Sequence, residues 1–246
     1  MAAHALRAEW LKTTTLRSAW TVPLAGVLLS VPVSAVTCAL IGDKQQLLID
    51  DPSVAIHYGL WFGQLFFAVA AIGVLGREYS SGTIGASLTA VPRRGRLYGA
   101  KLALAGGLGL AAGTATSVGS FLAATVLDGT PVRWDDPDAV RSVVAAALYP
   151  ALLAVLCVGL TAALRNATAA TGFVLLWLCI GSSLFAAVPG LRELLPYLPD
   201  RAGQYAIRYQ YAPHFAYPHW VGTAVLALWA AGAALLGLRR FRRAAH

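Results

Sequence analysis

The sequence predicts an all-α, polytopic membrane protein. Three observations carry this: few charges, long apolar blocks, and basic residues gathered at alternate connections. Of 246 residues, 58% are hydrophobic and 12% charged, about half the charged share of a soluble domain. The apolar residues run in six continuous blocks, at 18–41, 56–75, 102–127, 142–164, 167–188 and 220–238. A bilayer core of roughly 30 Å takes about 20 residues of helix. Only helices or closed barrels satisfy their backbone groups in lipid, and continuous rather than alternating blocks select helices. The block at 102–127 is long enough to require tilt or an emergent end. One transmembrane domain is expected over residues 1–246.

Charge placement orients the spans. With the N-terminus inside, the inner segments hold thirteen basic residues and only two acids, Glu9 and Glu78. The outer segments hold six basic residues and nine acids. Lys and Arg flanking the spans set orientation, so both termini are expected in the cytoplasm. The basic residues form juxtamembrane collars, Arg239, Arg240, Arg242 and Arg243 among them, for which anionic lipid accounts; no nucleic-acid partner is implied. Arg7, Lys12 and Arg17 precede an apolar block too long for a signal-peptide core.

The blocks themselves lack chemistry. Blocks two to six carry no Asp, Glu, Lys or Arg away from their ends, whereas ion-coupled transporters need an intramembrane carboxylate or histidine. Any uphill transport is therefore expected to draw its energy from another chain. His57 falls at the outer end of block two and reads as an interfacial residue. Neither the five histidines nor Cys38, Cys157 and Cys179 have metal-ligand spacing. No nucleotide-binding or hydrolase motif is present, so no catalytic residue and no resident cofactor is assigned. Small residues recur every fourth position at Gly59 and Gly63, and at Ala105, Gly109, Gly113 and Ser117. Such ladders let helix backbones approach closely; intramolecular packing is the first expectation and a dimer surface the second.

The connection between blocks two and three is the most informative. Ser80 or Ser81 is expected to cap a short helix that Pro92 stops. Within it Ile84, Leu88 and Val91 fall at i, i+4 and i+7 and form one apolar stripe. An amphipathic helix of this kind suits a membrane surface or a groove on a partner. Glu78, beside Arg77, is either half of a local ion pair or a pivot joining spans to loop. Near the N-terminus Leu6, Trp10 and Leu16 mix with Arg7, Lys12 and Arg17, a composition for a short interfacial helix.

The runs RAEWLKT at 7–13, GREYSSGTI at 76–84 and AVPRRGR at 90–96, with Ala100 and Lys101 following, resemble the permease subunits of type-2 ABC exporters, most closely their actinobacterial branch. The resemblance implies a coupling helix between spans two and three, with Glu78, Ile84, Leu88 and Val91 at an ATPase contact. It implies a separate ATPase subunit, which uses the ATP and Mg, and a second permease copy or sister permease. It implies a location in the bacterial plasma membrane. It also implies an outer gate in the last outer loop, where Tyr205, Tyr209 and Tyr211 lie among prolines; an aromatic belt is the simpler expectation. The solute is expected to be apolar or amphipathic. The alternative from another class is a non-transporting immunity, sensor or scaffold protein.

Overall fold

The computed structural model describes residues 7, 9–13, 17–41, 51–85, 94–128, 136–210 and 215–242. Among these the regular elements are all helical, and six helices are long and apolar enough to cross a membrane. The first is α1 (Arg17–Ile41). A short α2 (Pro52–Ile56) leads into α3 (Leu60–Ser80). Then come α4 (Arg94–Asp128) and α5 (Pro137–Leu164). The fifth span, Ala167–Ala187, is composite: α6 (Ala167–Leu176), a π turn at Trp177–Gly181, and α7 (Ser182–Ala187). A 3₁₀ turn (Arg192–Tyr197) and α8 (Pro199–Ile207) precede the last span, α9 (His219–Arg242).

The sequence places each element for local reasons. Asp51 caps α2, accepting from the Ser53 amide, with Pro52 in the first turn. Asp136 and Pro137 start α5 in the same way. Arg165, in the left-handed conformation (φ 55°), ends α5, and the Asn166 side chain caps α6, so two residues suffice to reverse the chain. Ser80 and Ser81 are not the caps expected of them; residues 84 and 85 are helical, and the rest of the expected short helix lies outside the described residues. Ser80 is the last residue of α3, and the Ser81 amide and hydroxyl both donate to the Arg77 carbonyl. Gly82, at φ +70°, then turns the chain away.

Helix ends also overrun the apolar blocks. α4 begins at Arg94 and α3 runs to Ser80, so Glu78 and Lys101, expected in a loop, stand on helices. Hydropathy measures where a helix is greasy, not where its hydrogen bonds stop.

α4 packs along α5, α5 along α9, and α1 against both α3 and α4. Phe67, Ile72, Leu75, Leu97, Leu153 and Val158 belong to the main buried core. Small residues set the crossings. A Cβ on Gly59 would stand 1.9 Å from the Ser30 carbonyl oxygen, and one on Gly63 2.0 Å from its hydroxyl. On α4, Gly109 and Gly113 would meet the carbonyls of Pro150 and Ala147 at 2.6 and 2.4 Å. All four glycines therefore lie at contacts within this chain.

Candidate functional site

Two ends of the bundle hold buried polar constellations. At the end carrying the arginine-rich C-terminus, the basic end, residues 9–13 are helical. They expose Trp10 and Leu11 and bury Glu9 and Thr13. Glu9 faces inward because Lys101 awaits it. The Lys101 ammonium is fully buried and donates to Glu9 Oε2 at 2.8 Å and to Glu78 Oε1 at 2.7 Å. Lys12 donates to the same Glu78 oxygen. Two cations and two carboxylates thus make a neutral quartet joining the N-terminal segment, α3 and α4. Full burial of Lys or Glu is rare unless the charge is paired. Among the described residues Glu78 pairs with Lys12 and Lys101 rather than with its neighbour Arg77. Glu78 Oε2 has no hydrogen-bond partner among the described residues, and a cavity of about 40 Å³ adjoins it, bordered by Lys12, Arg77 and Phe67.

Arginines at this end do more than meet lipid headgroups. Arg165 donates to the Arg240 carbonyl (2.6 Å), Arg240 to that of Ala163 (3.2 Å) and Arg94 to that of Arg242 (3.3 Å). Each supplies a donor and a positive charge to a helix C-terminus whose last carbonyls have no partner within the helix. Tyr98 adds a bond to Ala234 O at 3.0 Å and packs against Phe241. Of the expected coupling stripe, Ile84 leans against the main core; Leu88 and Val91 lie outside the described residues.

At the opposite end the last long connection folds into the bundle. α8 packs against α9 and α5 and buries Asp200, Ala202, Gly203, Tyr205, Ala206 and Ile207. Its fit is close: a Cβ on Gly203 would stand 2.5 Å from the Tyr149 ring, and one on Gly222 2.3 Å from the Ala202 carbonyl. Trp229, ten residues into α9, donates to the Tyr197 carbonyl at 2.9 Å. At 1.5 Å per residue this sets the connection roughly 10–15 Å below the start of α9. Irregular backbone at such depth requires protein partners, and it has them. Arg141 donates to the carbonyls of Ala206 (2.8 Å) and Arg208 (2.6 Å), and Ser142 to that of Ile207 (2.6 Å). Asp51 accepts the Tyr209 and Gln210 amides at 3.4 and 3.0 Å.

The π turn serves this arrangement. A turn closing at i+5 brings residues five apart toward one face, where an α-helix would hold them well apart. Trp177 and Ser182 are such a pair. The Trp177 indole donates to Asp200 Oδ1 (3.2 Å) and the Ser182 hydroxyl donates to Oδ2. Trp177 is the eleventh residue of a 21-residue span. A carboxylate therefore sits within the bundle, delivered by a connection rather than by a span. The expectation of a core free of ionisable groups is corrected on that point, as it is by Lys101.

The tyrosines expected at an outer gate divide. Tyr205 is 1% exposed, stacked on Phe215 with ring centroids 3.9 Å apart, and hydrogen-bonded to the Tyr217 carbonyl; it is a core residue, not part of an aromatic belt. Tyr209 is half-buried, and burial, with Asp136 and Asp51 adding to it, pushes its hydroxyl up to about 12. Tyr211 lies outside the described residues. His57, expected at an interface, is buried instead (5% exposed). Burial lowers its imidazole to about 4 against the opposing pull of Asp51, so it is neutral near pH 7.

Between α5, α6 and α9 lies an apolar cavity of about 740 Å³, walled by Leu153, Leu160, Phe173, Trp177 and Trp229. Among the described residues no three His, Cys, Asp or Glu gather in a way that would hold a metal ion. Compared with protein-family models and with curated proteins, the chain matches none.

Proposed function

We propose that this chain is the membrane-spanning permease subunit of an ATP-binding-cassette exporter of the bacterial plasma membrane, with its basic end in the cytoplasm. The observation that carries the proposal is the buried quartet of Glu9, Lys12, Glu78 and Lys101. It ties the N-terminal segment and two spans into one unit beside the connection whose sequence resembles the family's coupling segment. A permease driven by another protein needs such a stiff junction, because a push on one loop must move whole helices as bodies. A separate ATPase would supply the nucleotide chemistry, and a second permease would complete the pathway. The apolar cavity of about 740 Å³ suits an apolar or amphipathic solute. With Asp200 inside the bundle, the dependence on an external ATPase rests on the junction and the resemblance, not on a lack of charge.

The test is co-purification of the chain with the ATPase encoded beside it. Leu88→Asp is expected to abolish the association and the solute-stimulated ATP hydrolysis. Unchanged assembly and hydrolysis in that variant, or the lack of any neighbouring ATPase gene, would favour the scaffold alternative.

A further inference from the structure

The structure assigns a second site, independent of ATP coupling: the cavity between α2, the start of α3, α5 and α8 binds an oxyanion, a carboxylate or phosphate borne by a small solute or by a lipid headgroup. Its volume is about 210 Å³, far above the ~10–15 Å³ that a single water needs. Its walls include Arg201 and Arg208 and no acidic residue. The nearest acids are already engaged. Asp51 accepts from the Ser53 amide and hydroxyl and from the Tyr209 and Gln210 amides. Asp200 accepts from Trp177 and Ser182, and its 3.9 Å approach to Arg201 Nε is too long for a hydrogen bond.

Three polar side chains are left to the cavity. Both ring nitrogens of the buried His57 lack a partner among the described residues, as does Arg201 Nε. Gln64 has its carbonyl taken by the Tyr149 hydroxyl at 2.5 Å, so what it offers is its NH₂. Buried polar groups are normally paired, and unpartnered atoms on two side chains that line one space, His57 and Arg201, describe a ligand's place. A guanidinium is the group best shaped for a carboxylate or phosphate. Arg201 also sits over Trp61, 5.9 Å from its ring centroid, and Tyr205 and Phe215 add aromatic wall for an apolar body behind the anion. Arg201 is partly exposed, so the cavity communicates with the surface.

The experiment uses the full chain in phosphatidylcholine nanodiscs, titrated calorimetrically with inorganic phosphate and with acetate. In parallel, the detergent-purified chain is offered equal phosphatidylglycerol and phosphatidylcholine and read by native mass spectrometry. Saturable binding is expected in at least one arm: the first identifies a soluble oxyanion, the second a lipid headgroup. Arg201→Gln should weaken it at least tenfold and His57→Leu severalfold. His57→Gln, which keeps a donor and an acceptor, should restore most of it. Arg192→Gln, exposed and outside this cavity, should change nothing. No saturable binding in either arm, or equal binding by wild type and a monodisperse Arg201→Gln variant, would overturn the assignment.

Discussion

The two ends of the bundle face the same difficulty, polar groups held inside an apolar protein, and meet it differently. At the basic end charge answers charge: Lys101 and Lys12 neutralise Glu9 and Glu78 across three segments. At the opposite end charges are spent on backbone. Arg141 and Asp51 satisfy the carbonyls and amides at the end of α8, and His57 and Arg201 Nε are left over. The difference teaches where each end has freedom. A quartet of paired charges resists change because each partner depends on the others, and it leaves over an acceptor, Glu78 Oε2, whereas the opposite end leaves over His57 and a guanidinium nitrogen that can accept something from outside.

The comparison breaks most sharply at Lys101. Lys101→Met takes the cation that Glu9 and Glu78 share, leaving Glu78 with the half-exposed Lys12, and removing one partner of a buried pair costs about 3–5 kcal/mol. Thermal unfolding in detergent should show a large fall in midpoint. Adding Glu9→Gln and Glu78→Gln should recover most of it. A small loss in the single variant would mean that the quartet is not what holds this end.

Next in size is a pH effect confined to the opposite end. The His57 imidazole lies at about 4 in the folded chain against 6.5 for the ordinary group. Between those values the unfolded chain binds a proton that the folded one refuses. Stability is therefore full above the ordinary value and falls as pH drops through the window, by about 1.4 kcal/mol per unit. Subtracting the pH profile of His57→Gln from that of the wild type isolates this contribution, and parallel profiles would refute it.

Helix crossings give a smaller effect of either sign. Gly59→Ala drives a methyl into the Ser30 carbonyl and should cost about 1–3 kcal/mol. Gly107→Ala meets nothing within 4 Å and should gain roughly 0.5–1 kcal/mol from helix propensity. Unfolding midpoints that moved together would show that the glycines matter only for propensity. Smallest among the polar contacts should be Asp200→Asn, which keeps an acceptor for Trp177 and a partner for Ser182; a loss of about 1–2 kcal/mol is expected. Proteolysis of the 3₁₀ turn at Arg192–Tyr197 provides the readout, and unfolding of the whole bundle by this change would mean that Asp200 carries far more than the seat of α8.

How much of this was legible in one dimension follows from how each property arises. Apolar content adds up residue by residue, so six spans and their approximate limits were readable from the sequence alone. The excess of basic residues on alternate connections was equally readable; Arg94, Arg165 and Arg240 lie at one end of the bundle, and Asp51, Asp136 and Asp138 at the other. One further clue was present. Arginine outnumbers lysine sixteen to three, yet two of the three lysines, Lys12 and Lys101, enter the quartet, each a compact ammonium against Glu78. Folding alone decided the rest. Lys101 meets a carboxylate 92 residues away, and Asp200 reaches a mid-span tryptophan because a proline-rich connection turns inward and a π turn receives it. Such pairings depend on which surfaces meet in space, and no sum along the chain contains that information.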